Sequence, residues 1–313
     1  MLDDVRAVRQ HTTSEGKTMS ASQTSSTDPA PGVTGPAVTA AASRPGTDGE
    51  SADAAAVYVA ADGTTAAAVV DGIGHAPATV ALAPVLAEVA VRTGAVRGAL
   101  AGLLNAGLLI ADRGPDGHGP NAVAALAVST PGRDTVAAWA GDCRIHGFDG
   151  IRLHRYSTDH TVGEQLRRNG VPWELVAEHD AWLRVTLAQA TPASVYEVVI
   201  PADELVLLTS DGVHDQLDPD SLESLVREHH DAPQALADAL VAAVRSDDDG
   251  YRDDATALVL APPTRPQPPG SEPRGAAARQ PADALRGRLR PTPAPAPATH
   301  RSVTGPAPRG RVR

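Results

Sequence analysis

Three apolar runs of the chain each end in an aspartate that stands beside a glycine. They are Val69-Val70-Asp71-Gly72, Trp139-Ala140-Gly141-Asp142 and Leu208-Thr209-Ser210-Asp211-Gly212, and a fourth acidic site, Asp253-Asp254-Ala255-Thr256, comes just before the apolar residues 257–260. The ends of strands can hold charged groups at one edge of a rigid scaffold. Carboxylates from distant parts of a chain repel one another unless a cation or a proton lies between them. Because hard divalent cations prefer oxygen ligands, the pattern predicts a site for such cations.

The elements that would carry these aspartates alternate between hairpins and helices. Residues 54–60 and 65–70 predict two strands joined by an Asp-Gly turn. Residues 77–109 predict one long apolar helix that Pro84 kinks or restarts. Consecutive hairpins with helices between them favour an α+β layered domain with antiparallel sheets over a doubly wound parallel sheet.

The composition divides the 313-residue chain into one domain and two tails. Residues 1–45 are rich in Ser, Thr, Ala, Gly and Pro, and residues 263–313 carry ten arginines against only Glu272 and Asp283. Neither end has enough large apolar side chains to offset its chain entropy, so both are predicted to be disordered. Residues 46–262 remain as a single domain of ordinary size.

Charge and cysteine content limit the partners and the compartment. The net charge is -11 although the C-terminal tail is basic, so the domain itself is acidic, which argues against nucleic-acid binding. The tail could contact an acidic partner or a membrane surface, or it could simply be solvated. Cys143 is the only cysteine, and the N-terminus lacks the apolar core of a signal peptide. These two features predict a cytoplasmic protein. Charged residues interrupt the apolar stretch 80–111, which predicts a buried helix and no membrane span.

The order of the acidic motifs resembles that of the metal-dependent PP2C-type (PPM) serine/threonine protein phosphatases, in particular the bacterial ones. Five elements occur in family order, similar in turn to DGxGG, GDSR, S-x-DHT, TSDGLxD and DNxT. They are Asp71-Gly72-Ile73-Gly74-His75, Gly141-Asp142-Cys143-Arg144, Ser157-Thr158-Asp159-His160-Thr161, Thr209-Ser210-Asp211-Gly212-Val213-His214-Asp215 and Asp253-Asp254-Ala255-Thr256. An isolated aspartate of this kind is often only a turn or capping residue, but five in this order favour the family.

The resemblance implies an α-β-β-α sandwich of two antiparallel sheets flanked by helices, with two Mn²⁺ or Mg²⁺ ions at one edge. In that family's arrangement Asp71 would bridge both ions and the Gly72 carbonyl would bind the second. Asp211 and Asp253 would complete the first. Asp142 matches a carboxylate that helps to hold a third ion in bacterial relatives.

Two further aspartates are candidates for the same site. Asp53 matches the aspartate of the family's N-terminal R-x-x-N-x-D element, and Asp215 is either a third-metal ligand or a residue behind the ligands. The implied reaction is hydrolysis of phosphoserine and phosphothreonine in proteins by a metal-activated water, with no catalytic side-chain nucleophile. The implied partners are phosphoprotein substrates and an opposing Ser/Thr kinase, and we expect a monomer.

The chain departs from the family pattern beside Asp71 and beside Asp142. His75 replaces the second glycine of DGxGG, and Ile73 stands where eukaryotic relatives carry a histidine. His75 is either a catalytic group or a residue at the pocket edge. Cys143 replaces the serine of GDSR, and we interpret it as a small buried thiol.

Two more departures concern the substrate phosphate. The arginine that clamps it is missing from residues 48–52, so Arg44 is the nearest candidate. Asp254 replaces an asparagine and would add negative charge beside Asp253, which could either tighten cation binding or repel the phosphate. These changes leave open an alternative function, a catalytically weak or inactive pseudophosphatase that acts as a binding module.

Overall fold

A computed structural model describes residues 35–112, Gly114 and residues 117–262. This part of the chain forms ten strands. They are β1 Val38–Arg44, β2 Asp53–Val59, β3 Thr65–Gly72, β4 Ala122–Ser129, β5 Thr135–Ala140, β6 Arg144–Phe148, β7 Leu153–Arg155, β8 Tyr196–Ile200, β9 Leu205–Thr209 and β10 Ala255–Ala261. The predicted tail residues 1–34 and 263–313 lie outside the described part.

Seven α-helices and two short 3-10 helices connect these strands within the described residues. The α-helices are α1 Pro77–Arg97, α2 Ala99–Leu108, α3 Val162–Arg168, α4 Trp173–Val176, α5 Asp211–His214, α6 Pro219–His229 and α7 Pro233–Ala243. The 3-10 helices are Ala177–His179 and Leu187–Gln189.

The strands form two five-stranded antiparallel sheets. The first sheet has the order β1-β10-β9-β6-β7 and the second has the order β2-β3-β4-β5-β8. Side chains alternate between the two faces of β3 and show how the two sheets pack. Val69 belongs to a core shared with Leu208 and Leu258 of the first sheet, whereas Val70 belongs to the core on the other face of the second sheet. The core between the sheets is therefore made from both, and the predicted antiparallel sandwich is confirmed.

Helices cover both outer faces of the sandwich. Leu86 of α1 and Leu103 of α2 pack with Leu126 on the second sheet, while Leu236 of α7 packs with Leu207 on the first. The order of layers is therefore helix, sheet, sheet, helix, as the family resemblance implied.

The long apolar segment forms two helices that break at Gly98, not at Pro84. Gly98 has a φ of 91°, a left-handed conformation that glycine adopts without steric cost. Among the described helices, α1 is long and apolar enough by length and composition to cross a membrane. Its residues Leu86, Ala87 and Ala90 are nevertheless fully buried in the core on the second sheet. The prediction of a buried helix here is confirmed.

β1 corrects the predicted boundary of the N-terminal tail. It pairs with β10 along its whole length, from Val38 opposite Ala261 to Arg44 opposite Ala255. The prediction failed because the segment has no large apolar side chain, whereas an edge strand is stabilised by backbone pairing as well as by burial. The folded domain begins at or before Val38, and not at residue 46.

Candidate functional site

The topology brings the ends of several strands, and the aspartates beside them, to one edge of the sandwich. Asp53 begins β2 and lies directly opposite Asp71, near the end of β3. Asp211 begins α5, with Ser210 between it and the end of β9, and Asp253 stands just before β10. Asp142 follows β5, and the charges of all four of these residues act on Asp71. The aspartates that the sequence places at strand ends therefore share one site.

A hydroxyl joins the two sheets at this site. Ser210 Oγ donates a hydrogen bond to Asp53 Oδ2 at 2.7 Å and accepts one from the Thr256 N–H at 2.9 Å. Both Ser210 and Thr256 are fully buried. Sequence reasoning did not identify Ser210, although it stands inside the TSDG element directly before Asp211. Its hydroxyl holds Asp53 of the second sheet against β9 and β10 of the first.

Burial disfavours the charged form of four carboxyls at this edge. Burial, followed by the charges of neighbouring aspartates, raises the pKa of Asp71 and of Asp211 well above 3.8. Burial also raises the pKa of Asp53 to about 7, against the hydrogen bonds from Ser210 and Thr256. Burial and the charge of Asp159 raise the pKa of Asp142 to about 7. Such a set is neutralised by protons or by a cation, and its hard oxygen donors match Mn²⁺ or Mg²⁺.

The side chains do not form a ready coordination shell. Within the described residues, no group of three or more His, Cys, Asp or Glu side chains is arranged to hold a metal ion. The aspartates interact electrostatically without converging on one point. The oxygen donors match a divalent cation in chemistry but not yet in arrangement. Ligand roles therefore stay predictions for Asp71, Gly72, Asp211, Asp253, Asp142 and Asp53.

Gly72 occupies a position where only glycine fits. A Cβ atom there would lie 2.7 Å from Thr79 Cγ2 and 2.8 Å from the Ala52 carbonyl oxygen. The Gly72 N–H also donates to that carbonyl at 3.1 Å. The close approach keeps the backbone of Gly72 against the start of β2, beside Asp53.

Asp215 lies at the margin of the site and faces a cation. Its Oδ1 is 3.6 Å from Arg144 Nη2, and its side chain is 62% exposed. Arg144 also donates to Asp159 at 2.8 Å, and Arg155 pairs with the same carboxylate. The GDSR-like and S-x-DHT-like elements are therefore joined by this ion-pair cluster, which Asp215 contacts through Arg144.

Arg44, which was predicted to bind the substrate phosphate, bonds to the end of α7 in this structure. Arg44 Nη1 donates to the carbonyl of Val244 at 3.0 Å and to that of Val241 at 3.5 Å, at the C-terminal end of α7. The last carbonyls of a helix lack partners within the helix and attract a cation. Because Arg44 ends β1 and α7 packs on that strand, its guanidinium reaches the last carbonyls of the helix, and its role as a phosphate clamp stays a prediction.

The remaining departures from the family pattern are placed as follows. Cys143 is 1% exposed between the sheets, and burial raises the pKa of its thiol, which supports its interpretation as a buried packing residue. Ile73 is exposed on the loop after β3. His75 lies with its Nε2 3.2 Å from Asp254 Oδ2, and that carboxylate points at the loop between β1 and β2.

The raised pKa of Asp142 predicts a pH-dependent effect of Asp142→Asn on the metal-free protein. Asp142 titrates near 3.8 when unfolded and at about 7 when folded, so the folded state binds more protons between these values. The free energy of unfolding of the wild type therefore falls as the pH rises from about 4 to 7, whereas asparagine does not titrate.

We expect the variant to match the wild type near pH 4 and to exceed its free energy of unfolding by on the order of 1 kcal/mol or more above pH 7. Urea unfolding with a chelator at three pH values measures this difference. Contributions from the buried histidines are common to both proteins and cancel. Asp203→Asn, in the exposed turn before β9, is the control. A difference that does not change with pH would contradict the prediction.

Comparison with known proteins identifies the fold. No protein-family model matches the chain, and no curated protein matches its sequence. Among solved structures, a serine/threonine phosphatase of S. agalactiae matches at 15% identity with a TM-score of 0.60, covering 72% of this chain and 99% of that one. The PPM Ser-Thr phosphatase MsPP of Mycobacterium smegmatis, in complex with cacodylate, matches at 19% identity with a TM-score of 0.58, covering 73% and 99%.

A third similar structure contains metal. The catalytic domain of the serine/threonine phosphatase PstP, in complex with two manganese ions, matches at 18% identity with a TM-score of 0.57, covering 72% of this chain and 97% of that one. All three similarities extend over nearly the whole length of the known structures. The aspartates at the edge of the sandwich therefore belong to a chain with the fold of the bacterial PPM serine/threonine phosphatases.

Proposed function

We propose that the chain is a protein phosphatase that removes phosphate from phosphoserine and phosphothreonine with Mn²⁺ or Mg²⁺. The observation that carries this proposal is the gathering of Asp71, Asp211, Asp253, Asp142 and Asp53 at one edge of a PPM-type sandwich. Buried carboxyls that repel one another are costly for stability and are retained where a site uses them. The named activity of the similar structures supports the same conclusion.

The residues have distinct proposed roles toward two ions and a third. Asp71, Asp211, Asp253 and the Gly72 carbonyl would hold the two, and Asp142 would contribute to the third. When bound, such ions acidify a water and withdraw charge from the phosphoryl oxygens. The complex of PstP with two manganese ions supports this assignment. Asp53, held by Ser210, would keep the edge of the second sheet in place.

Phosphatase chemistry through a cysteine nucleophile does not suit this chain. Cys143 is the only cysteine, and it is 1% exposed in the core between the sheets. Burial raises the pKa of its thiol, which disfavours the nucleophilic thiolate. The attacking group is therefore proposed to be water.

We further propose that phosphoproteins are the substrates and that a Ser/Thr kinase opposes the enzyme. A cytoplasmic location and a monomeric state are proposed from the composition and the family resemblance. The acidic domain gives no support to a nucleic-acid partner.

A binding module without turnover is the second candidate. It is favoured by the hydrogen bonds of Arg44 to α7, which remove the nearest candidate for a phosphate clamp. It is also favoured by the lack of a convergent metal-binding group among the described residues. Such a module would keep the sandwich and its substrate surface while lacking catalysis.

Hydrolysis of p-nitrophenyl phosphate by the full chain separates the two candidates. We expect activity with Mn²⁺, its loss in EDTA, and its recovery when Mn²⁺ is added in excess. Circular dichroism shows whether the protein stays folded in EDTA, and calorimetry shows whether Mn²⁺ binds. Undiminished activity in EDTA would contradict the metal-dependent mechanism. A folded protein that is inactive with Mn²⁺ and with Mg²⁺ would support the binding module instead.

A further inference from the structure

The carboxylate of Asp254 binds both ends of one loop. Its Oδ1 accepts a hydrogen bond from the Gly46 N–H at 2.6 Å, and its Oδ2 accepts one from the Ala52 N–H at 2.7 Å. His75 Nε2 lies 3.2 Å from the same Oδ2. Asp254 is only 5% exposed, so these partners replace water around its charge. The loop between β1 and β2 is thereby closed on a buried anion.

The first residues of this loop, 45–47, pack against the backbone of Arg252, two residues before Asp254. A Cβ atom on Gly46 would be 2.6 Å from the carbonyl oxygen of Arg252. Thr47 N–H donates to that carbonyl at 2.9 Å, and Arg252 Nη2 donates to the carbonyl of Pro45 at 2.9 Å. Residues 48–50, in contrast, are exposed. After these exposed residues, the loop contacts the domain again where the Ala52 N–H donates to Asp254.

The far end of the loop connects Asp254 to two candidate ligands. Ala52 is 1% exposed, and its carbonyl accepts the Gly72 N–H at 3.1 Å. Its chain neighbour is Asp53, which bonds to Ser210. Holding the Ala52 N–H therefore also holds Asp53 and Gly72.

The backbone of Asp254 contacts the segments of two other candidate ligands, Asp253 and Asp211. Its N–H donates to Asp253 Oδ1 at 3.0 Å. Its carbonyl oxygen lies so close to Gly212 that a Cβ atom there would be 1.9 Å away. Gly212 directly follows Asp211. The four chain segments that carry Asp53, Gly72, Asp211 and Asp253 thus meet around one buried residue.

We infer that Asp254 is a positioning residue whose carboxylate fixes these four segments relative to one another. The inference rests on the proposed function in one respect, namely that these four segments bind metal. It replaces the expectation that the Asp254 charge acts on the cations or on the phosphate, since both oxygens point at backbone amides and at His75.

The inference explains why a carboxylate is needed where the family pattern has an asparagine. Gly46 and Ala52 present N–H donors to different oxygens of Asp254. An asparagine has one acceptor oxygen, so its NH₂ group would face one of these donors. A buried donor without an acceptor costs about 1–3 kcal/mol. Asp254→Asn, the substitution toward the family pattern, should therefore loosen this loop.

Amide hydrogen exchange in the full-length, metal-free protein tests the inference without any activity. In the wild type, the Gly46 and Ala52 amides should exchange at least about tenfold more slowly than the amide of exposed Gly49. In Asp254→Asn, at least one of the two should exchange about tenfold faster, while His75→Ala should leave both protected. Equal exchange of Gly46, Ala52 and Gly49 in the wild type would overturn the inference, whether or not the variant folds.

Metal binding and kinetics give the second measurement. Calorimetry should show Mn²⁺ binding to Asp254→Asn weakened by about tenfold, the scale of losing a group that orients ligands. The KM for p-nitrophenyl phosphate at saturating Mn²⁺ should stay within about twofold of the wild type. A lower KM with unchanged Mn²⁺ affinity would overturn the inference, because it would place the carboxylate against the phosphate. If no phosphatase activity exists at all, exchange and calorimetry still decide, and only the proposed function fails.

Discussion

Asp71→Asn and Asp211→Asn should each abolish nearly all hydrolysis while making the metal-free protein more stable. An amide is a poor ligand for a hard cation, so losing either carboxylate should lower turnover by about a hundredfold or more. The stability change has the opposite sign, because burial and neighbouring aspartates raise the pKa of both carboxyls. At neutral pH a neutral side chain removes the cost of holding that charge near others.

Turnover of p-nitrophenyl phosphate with Mn²⁺, and thermal unfolding in EDTA, measure the two effects. The losses of turnover should not add, because both residues act through one centre. The double variant should therefore be about as active as the less active of the two single variants. Asp203→Asn removes a carboxylate from the exposed turn before β9 and should change neither quantity. Near wild-type turnover in either single variant would exclude that residue as a ligand. Reduced stability in EDTA would mean that the carboxylate has a structural role instead.

Much of the site could be predicted because its residues stand where strands end. The apolar runs before Asp71, Asp142 and Asp211 became β3, β5 and β9, and these strands carry the aspartates to one edge. Apolar runs and turn residues are local properties of the sequence, so single segments reveal them. The layered antiparallel architecture followed from the same hairpins.

The features that the sequence did not reveal depend on distant parts of the chain. β1 has small side chains and exists as a strand because β10, more than 200 residues away, supplies its backbone partners. Arg44 seemed available for phosphate only because the position of α7 cannot be read from nearby residues. The partners of Asp254 are equally remote, since Gly46 and Ala52 precede it by 208 and 202 residues. The pattern could mark Asp254 as a departure but could not show what it binds.

The lack of space at Gly212 predicts a large effect for Gly212→Ala. A Cβ atom there would lie 1.9 Å from the Asp254 carbonyl oxygen and 2.8 Å from its carbonyl carbon. Normal contacts need about 3.5 Å, so the start of α5 would have to move away from Asp254 by more than about 1 Å. The obstacle is backbone beside β10, which cannot rotate aside as a flexible side chain can.

The substitution should therefore lower the free energy of unfolding by about 1–3 kcal/mol or more and weaken Mn²⁺ binding, because it separates Asp211 from Asp253. Gly250→Ala is the matched control. Gly250 has a φ of 84° and open space around its Cβ position, so alanine there costs about 1–2 kcal/mol of backbone strain and leaves the site in place. Thermal unfolding and calorimetric titration with Mn²⁺ compare the two. Because strain alone can lower stability, the deciding result is the metal affinity, which should fall in Gly212→Ala and persist in Gly250→Ala. Wild-type Mn²⁺ affinity in Gly212→Ala would show that the contact between Gly212 and Asp254 does not set the spacing of the two carboxylates.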